Sequence, residues 1–149
     1  MVRQLRKNEE IPWDLLLLAD ETTEAINRYI NKCDIYVYEC GYYLIATYAV
    51  QPVDQESLEI KNIAVADKYQ RRGIGSLLLM DAAHRAKNKG FRRLIVGTGD
   101  ASAGPLKFYL KAGFEKFDIR KDFFVRNYPE PIYENGVQLQ DMILLKLEL

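Results

Sequence analysis

One short segment, Gln70 to Gly75 (QRRGIG), constrains this chain more than any other stretch of it. It follows an extended apolar run, Leu58 to Val65, and precedes a helical pattern that begins at Gly73. The first N–H groups of a helix have no intrahelical partner, and the helix dipole places partial positive charge there. Glycine lets the backbone approach a phosphate without a Cβ in the way. This order of strand, glycine turn and helix N-terminus therefore predicts a site for a phosphate-bearing ligand.

Two common phosphate-binding turns do not fit the spacing. A Walker loop needs Gly-Lys-Ser/Thr, whereas Gly75 is followed by Ser76 and Leu77. A dinucleotide-binding turn needs a small residue three positions after the second glycine, and Leu78 stands there. The segment resembles the Gln/Arg-x-x-Gly-x-Gly/Ala signature of the GNAT superfamily of acetyltransferases, in which this turn holds the pyrophosphate of acetyl-coenzyme A. A Gly-x-Gly sequence can also be a plain turn, so the surrounding sequence decides whether it is a phosphate-binding site.

Two further segments extend the resemblance over most of the chain. Glu59 to Val65 (EIKNIAV) is similar to the central strand of the family, with Glu59 where several members keep a catalytic glutamate. Phe108 to Phe114 (FYLKAGF) is similar to the late Tyr-x-x-x-Gly-Phe signature. Three signatures in the right order are more specific than one, so the resemblance implies an acetyl-coenzyme A-dependent N-acetyltransferase.

The composition is that of an ordinary globular protein. With 149 residues, 48% of them apolar and 28% charged, we expect a single domain over residues 1–149. No run of 18 apolar residues predicts a membrane span, and Met1 to Leu5 lacks the apolar stretch of a signal peptide. Cys33 and Cys40 lack metal-type spacing and are expected to be free thiols in a reducing cytoplasm. The single His84 cannot build a histidine metal site, and we expect no metal.

The charges are unevenly divided along a chain whose net charge is zero. Residues 1–60 hold five Lys and Arg against eleven Asp and Glu, and residues 61–149 hold sixteen against ten. A basic half around the phosphate turn and an acidic acceptor wall would suit polyanionic coenzyme A and a cationic amine. The alternative is a solvated surface with no bearing on function, because exposed charges are screened over roughly 8 Å.

The periodicity predicts a mixed α/β protein with the element order β-αα-βββ-α-β-α-ββ. A strand, helix, strand sequence implies one parallel crossover, and the hairpin patterns imply that the rest of the sheet is mostly antiparallel. This order fits the GNAT fold, in which the strands Leu58–Val65 and Arg93–Thr98 splay apart and pantetheine lies between them. The predicted elements are strands at Val2–Arg6, 35–40, 42–50, Leu58–Val65, Arg93–Thr98, Phe114–Arg120 and Met142–Glu148, and helices at 12–18, 22–33, from Gly73 to before Gly90, and 105–112.

An extra segment, Tyr128 to Gly136, is longer than the minimal family pattern. Its Asn135-Gly136 pair predicts a tight hairpin turn. Two roles stay open for it, shaping the acceptor site or forming a dimer contact. The sequence is compatible with a homodimer and contains nothing that requires one.

Acyl transfer to an amine needs a neutral nucleophile, a donor for the oxyanion and a proton for the leaving thiolate. The resemblance makes Glu59 the candidate base, through a water, although an ion pair with a lysine such as Lys61 is the alternative. It makes Tyr109, expected at the start of the cleft-lining helix, the candidate acid. With ten tyrosines in the chain, a core aromatic is the alternative there.

Co-substrate contacts follow from the same resemblance. A backbone N–H at Ile63 to Val65 is the expected oxyanion donor, and Ser102 is a lesser candidate for pantetheine contact. Asp100 stands about where many relatives carry an asparagine, and an ionised aspartate accepts but does not donate. It could instead serve as a second base. The residues predicted to hold acetyl-coenzyme A are Ile63, Ala64, Val65, Gln70, Arg71, Arg72, Gly73, Ile74, Gly75, Ser76, Asp100 and Ser102.

Two functions remain after this reading. The first is an N-acetyltransferase that passes the acetyl group to a primary amine by direct attack in a ternary complex, since no Cys–His pair suggests a covalent route. The second is a non-catalytic acyl-coenzyme A sensor on the same scaffold, which the aspartate at position 100 keeps open. A nucleic-acid module is disfavoured, because the chain has neither net positive charge nor an RNA-binding aromatic motif. Small amine, peptide N-terminus and lysine side chain all remain open as acceptors.

Overall fold

The computed structural model describes residues 1–149. The strands are β1 (Val2–Gln4), β2 (Asp34–Cys40), β3 (Tyr43–Pro52), β4 (Ser57–Val65), β5 (Arg93–Gly99), β6 (Glu115–Arg120), β7 (Tyr133–Glu134), β8 (Val137–Gln138) and β9 (Met142–Glu148). The helices are α1 (Trp13–Leu16), α2 (Thr23–Asn27), α3 (Ile74–Asn88), α4 (Ala103–Lys111) and α5 (Phe123–Asn127). No helix combines the length and the apolar character that crossing a membrane would need.

Seven strands form one sheet in the order β1-β2-β3-β4-β5-β9-β6, and β7 and β8 form a separate hairpin. Every neighbouring pair is antiparallel except β4 and β5, which are parallel because α3 crosses between them. The predicted mixed α/β fold with a mostly antiparallel sheet is confirmed.

Apolar side chains cover both faces of the sheet. Strand alternation sends Tyr36 to one face and Ile35 and Val37 to the other. The larger cluster joins the sheet to α3, whose residues Leu78, Leu79, Ala82 and Ala86 are buried, as the 3.6-residue spacing predicted. The smaller cluster joins the opposite face to α1 and α2. The two faces of the sheet therefore carry different helices.

Strands β4 and β5 are hydrogen-bonded to each other along only part of their length. They pair only over Ser57–Ile60 and Arg93–Val96. Beyond that point β4 continues to Val65 beside β3, and β5 continues to Gly99 beside β9. Backbone groups of residues 61–65 that point away from β3 have no strand partner there. The predicted splay is thus present, and it opens a cleft in the middle of the sheet.

A β-bulge at Lys61 changes the phase of β4. Ala49 pairs with Asn62 and Val50 pairs with Ile60, which leaves Lys61 without a partner on β3. Ile60 and Ile63 consequently both pack on the larger cluster, although they are three residues apart. The bulge puts Glu59 and Asn62 on the other face, towards α1 and α2, where simple alternation would have separated them.

Several predicted boundaries differ from the structure. The helix expected over residues 22–33 is the short α2 followed by a 3-10 turn at Ile30–Lys32. Thr22 is the N-cap of α2, and its hydroxyl accepts a hydrogen bond of 3.1 Å from the Ala25 N–H. Helix α4 begins two residues earlier than the proline rule suggested. Helix α5 was not predicted at all, because the segment after β6 lacks an amphipathic repeat. Asn135 and Gly136 both have positive φ, as the predicted tight turn requires.

Candidate active site

The turn between β4 and α3 presents a run of free backbone N–H groups. Gly73 is the left-handed N-cap of α3, with φ of 81°, and Arg71 is also left-handed, with φ of 63°. The first intrahelical bond runs from the Leu77 N–H to the Gly73 carbonyl, and none of the N–H groups of residues 71–76 donates to another group of the protein. A Cβ at Gly73 would meet no protein atom within 4 Å, so the space in front of these donors is open. This arrangement suits a phosphate group.

The second glycine of the turn has a different structural reason. A Cβ at Gly75 would lie 3.2 Å from Cζ of Phe108, because α4 packs closely against the start of α3. A larger residue would push the two helices apart.

The polar side chains of the turn do not all face outward. Gln70 Nε2 donates to the Val65 carbonyl at 3.0 Å and to Asp67 Oδ1 at 3.2 Å, so its amide closes the turn. Arg72 is exposed, and its guanidinium lies 5.5 Å from the centroid of the Tyr69 ring. Arg71 is exposed and has no ion-pair partner. The backbone N–H groups and the two arginines, rather than the glutamine side chain, are the groups available to an anion.

A cleft of about 580 Å³ begins where β4 and β5 separate. Its floor is made by residues 59–65 of β4 and Val96–Gly99 of β5. A Cβ at Gly97 would collide with Met142, and one at Gly99 would collide with Leu139 and Ser102. Glycine at these two positions therefore lets those side chains pack directly against β5.

Glu59 lies in this cleft with its residue only 5% exposed. Arg120 extends from β6 past β9 and β5, placing Nη2 3.2 Å from Oε1 and Nη1 3.5 Å from Oε2 of Glu59. Lys61 Nζ lies 3.6 Å from Oε2, so the ion pair weighed as an alternative for Glu59 also exists. A carboxylate faced by two cations can stay buried without an unpaired charge.

Tyr109 lines the same cleft and is buried. It is the seventh of the nine residues of α4, so the expectation that it stands at the start of that helix was wrong. Its ring packs edge-on against Phe114 at 5.7 Å, and burial raises the pKa of its phenol to about 12. The phenol is therefore a neutral O–H donor at physiological pH.

The part of the cleft lined by Asp20, Tyr29 and Tyr128 is held together by Asp20, which sequence reasoning missed. Its two carboxylate oxygens accept the phenol O–H of Tyr29 at 2.9 Å and of Tyr128 at 2.6 Å. Burial first, and the bond to Asp20 second, raise the pKa of Tyr128. This bridge ties α5 to the segment between α1 and α2. No sequence signal could reveal a contact between residues more than a hundred positions apart.

Asn62 is a second site residue that was missed. Its Nδ2 donates to the Leu16 carbonyl at 3.0 Å and to the Tyr29 hydroxyl at 3.1 Å. Its Oδ1 is buried and has no hydrogen-bond partner, and every other buried side-chain nitrogen or oxygen has one. Asn62 lines the cleft, and a free buried acceptor there indicates a donor from a ligand or a water.

The comparisons with known proteins decide the family. The sequence profile described as "Acetyltransferase (GNAT) family" matches residues 3–114. The Bacillus subtilis protein named uncharacterized N-acetyltransferase YvbK is 39% identical over 95% of this chain and 91% of its own length. The chain belongs to the GNAT family of acetyltransferases.

Solved structures of GNAT proteins agree. A GNAT family acetyltransferase from Elizabethkingia anophelis, solved with acetyl-CoA bound, superposes with a TM-score of 0.97 at 48% identity, covering 100% of this chain and 97% of that one. A Bacillus subtilis acetyltransferase in complex with CoA gives 0.90 at 36% identity, covering 99% and 97%. The GNAT chain described here is thus an acetyl-coenzyme A-dependent N-acetyltransferase with acetyl-coenzyme A as its co-substrate. This sets aside the reading as a non-catalytic sensor.

Within this GNAT fold, two predicted co-substrate residues have different surroundings. Ser102 is buried at the N-cap of α4 and lines the cleft. Asp100 is exposed and does not line it. The Asp100 carboxylate accepts the backbone N–H of Gln140 at 3.1 Å and of Asp141 at 3.2 Å. Its oxygens fix the start of β9, which explains an aspartate at this position without a role as a base.

Among the other aromatic side chains, Tyr29 lines the cleft, whereas Trp13 and Tyr133 do not. His84 is exposed on α3 beside Asn88, away from the cleft. The expectation that the acidic half of the chain supplies most of the acceptor wall stays a prediction. The cleft carries equal numbers of acidic and basic side chains, namely Asp20, Glu21, Glu59 and Glu134 against Arg28, Lys32, Lys61 and Arg120.

Proposed function

We propose that the chain acetylates a primary amine by direct attack of that amine on acetyl-coenzyme A in a ternary complex. The observation that carries the proposal is the buried carboxylate of Glu59 in the cleft that opens between β4 and β5. The cleft offers free backbone groups on β4, a carboxylate and a neutral phenol, and the anion cradle at residues 71–76 follows Gln70, which lines the cleft. These are the groups that acyl transfer to an amine needs.

The proposed roles conserve every atom and proton. The neutral amine nitrogen attacks the thioester carbonyl, forming the N–C bond, and the C–S bond breaks. Glu59 takes the proton that the amine loses, through a water, and Tyr109 gives its proton to the leaving thiolate. A backbone N–H among Ile63, Ala64 and Val65 stabilises the oxyanion. The co-substrate phosphates bind the N–H groups at residues 71–76, with Arg71 and Arg72 beside them.

Direct attack is favoured over a covalent acetyl-enzyme. Neither Cys33 nor Cys40 lines the cleft, and burial raises the pKa of the Cys33 thiol to about 12. A thiol in that state is a poor nucleophile at neutral pH. No histidine lies beside either cysteine to activate it, since His84 is on the exposed face of α3.

Removing the base tests the proposal. Glu59→Gln should lower the acetylation rate by about a hundredfold or more, because a positioned base contributes that much. The loss should be largest at low pH, where little of a lysine-like amine is neutral without help. The measurement is thiol release from acetyl-coenzyme A with a panel of primary amines between pH 6 and 10, with mass detection of the acetylated amine.

Glu115→Gln is the matched control, because Glu115 is an exposed carboxylate on β6 outside the cleft. It should keep the wild-type rate and pH profile. A Glu59→Gln enzyme with an unchanged profile would remove the assignment of Glu59 as base. If no amine of the panel caused thiol release, that result would count against a primary-amine acceptor.

A further inference from the structure

The charges around Glu59 do not suit a simple cationic amine. Arg120 and Lys61 both face the Glu59 carboxylate, so these three groups carry a net charge of +1. Farther out, Arg28 and Lys32 are balanced by Glu21 and Glu134, and Asp20 is bound by two tyrosines. The cleft as a whole has no net charge, so the excess of one positive charge around Glu59 is local and is offset by Asp20 elsewhere in the cleft. An ammonium ion approaching Glu59 meets two cations there, whereas an anion is attracted.

The two cations also have donors to spare. The Arg120 contacts with Glu59, at 3.2 and 3.5 Å, are longer than the 2.7–2.9 Å typical of charge-assisted bonds. They use two of the five N–H groups of a guanidinium. Lys61 Nζ is 3.6 Å from Glu59 and has its side chain 24% exposed, and that of Arg120 is 37% exposed. Both side chains line the cleft and can bind a second carboxylate without moving away from the first.

We propose that the acceptor is a small amine carrying its own carboxylate, as an amino acid does, and that Arg120 and Lys61 bind that carboxylate beside Glu59. This inference rests on the proposed function, because it takes Glu59 to be the group that faces the amine. The carboxylate cancels the excess positive charge around Glu59, and the planar fork of Arg120 orients it. A peptide N-terminus or a lysine side chain lacks this anion next to its amine, so both are disfavoured as acceptors.

Three sets of matched acceptors test this class. Each set contains a free amino acid, its amide and the corresponding amine without the carboxylate, with an aromatic, an aliphatic and an acidic side chain in turn. In at least one set, kcat/KM for the free amino acid should exceed that for its amide by about tenfold, the value of one well-placed charge contact. Equal or faster reaction of the amides and plain amines in all three sets overturns the proposal and leaves the proposed function intact.

Variants separate binding of the carboxylate from support of Glu59. Arg120→Gln and Lys61→Gln can each lower the rate for every acceptor by disturbing Glu59. The ratio of kcat/KM for the amino acid to kcat/KM for its amide is unaffected by that common loss of rate. This ratio should fall about tenfold in either variant. Lys121→Gln is the control, because it removes a cation one residue from Arg120 that does not line the cleft. A preference that survives in Arg120→Gln and Lys61→Gln overturns the proposal.

A binding measurement covers the case of no turnover. Calorimetry in the presence of coenzyme A compares the N-acetyl amino acid with its N-acetyl amide for the same three side chains. Tighter binding of the carboxylate form in wild type, lost in Arg120→Gln and kept in Lys121→Gln, supports the anion site whether or not an acceptor reacts. No preference for the carboxylate in any set overturns it. Absence of thiol release with every amine counts separately, against the proposed function.

Discussion

Tyr109 combines burial with the lack of a charged neighbour. Its raised pKa has burial as its only cause, and the residue is 6% exposed. A carboxylate within hydrogen-bond distance would accept a hydrogen bond from the phenol, as Asp20 accepts one from Tyr29 and one from Tyr128. The Tyr109 proton is therefore free for a leaving group in a way that those of Tyr29 and Tyr128 are not.

Changing Tyr109 to Phe should reduce turnover by about a hundredfold, the usual contribution of a general acid. Affinity for acetyl-coenzyme A should change little, because the phenyl ring keeps its packing against Phe114. Steady-state kinetics with calorimetry separates the two quantities. Tyr133→Phe is the control, since Tyr133 is 62% exposed on β7. Wild-type turnover in Tyr109→Phe would return this residue to a packing role.

At the scale of elements, the start of α3 joins a backbone conformation to a binding surface. The left-handed Gly73 turns the chain so that six successive N–H groups, those of residues 71–76, lack protein acceptors. Leaving so many donors unpaired is tolerable because they are exposed to solvent or to a ligand, and the helix dipole favours an anion there.

Gly73→Ala should destabilise the protein by about 1–2 kcal/mol, the cost of a left-handed residue with a Cβ. It should also weaken acetyl-coenzyme A binding, because the new methyl group stands in the open space before the donors. Gly41→Ala is a matched control for strain, since Gly41 is left-handed, open and remote in the β2–β3 turn. Urea unfolding should show similar losses in both variants, and calorimetry should show weaker binding only in Gly73→Ala. Equal affinity in both would remove the cradle from the binding site.

The end of α5 contacts the other wall of the cleft through the hydrogen bond from Tyr128 to Asp20 and through the Arg28 guanidinium, 5.9 Å from the centroid of the Tyr128 ring. Tyr128→Phe removes the 2.6 Å bond to Asp20. The expected cost is about 1.5–3 kcal/mol, as for bonds to charged groups, together with a raised KM for the acceptor and an unchanged KM for acetyl-coenzyme A. Urea unfolding and two-substrate kinetics measure these effects against Tyr133→Phe. A raised KM for acetyl-coenzyme A alone would contradict the placement of Tyr128 on the acceptor side.

Across the whole molecule, burial raises the pKa of four tyrosines, which are Tyr29, Tyr48, Tyr109 and Tyr128. The phenol of an unfolded tyrosine has a pKa of about 10. Above that pH the unfolded chain loses phenol protons that the folded chain keeps, so stability is complete below pH 10 and falls as pH rises towards 12.

Because burial raises the pKa of its phenol to about 12, Tyr109 alone should lower the free energy of unfolding by about 2 kcal/mol between pH 10 and 12. Urea unfolding at pH 8, 10 and 11 should show this decline, and Tyr109→Phe should decline less steeply than wild type. Tyr133→Phe, which removes an exposed phenol, should follow the wild-type slope. Parallel slopes for all three proteins would show that the Tyr109 phenol is not desolvated in the fold.

The sequence by itself determined the features that local chemistry controls. The glycine turn before α3, the buried face of that helix and the Asn135-Gly136 hairpin each follow from what one or two residue types allow the backbone to do. The parallel crossover followed from the strand, helix, strand order, and with the family signatures this was enough to predict the fold and the co-substrate. That residues 1–149 form one domain stays a prediction, and a homodimer stays a possibility that nothing requires.

Only the tertiary structure decided which side chains meet in the cleft. Arg120 reaches Glu59 across two intervening strands, and Tyr128 reaches Asp20 from an unpredicted helix. The bulge at Lys61 put Asn62 on the same face as Glu59, against the alternation of an ordinary strand. Contacts of this kind join residues far apart in sequence, and they depend on register and splay. Local residue propensities predict neither the register nor the splay, because both are set by how the whole sheet packs.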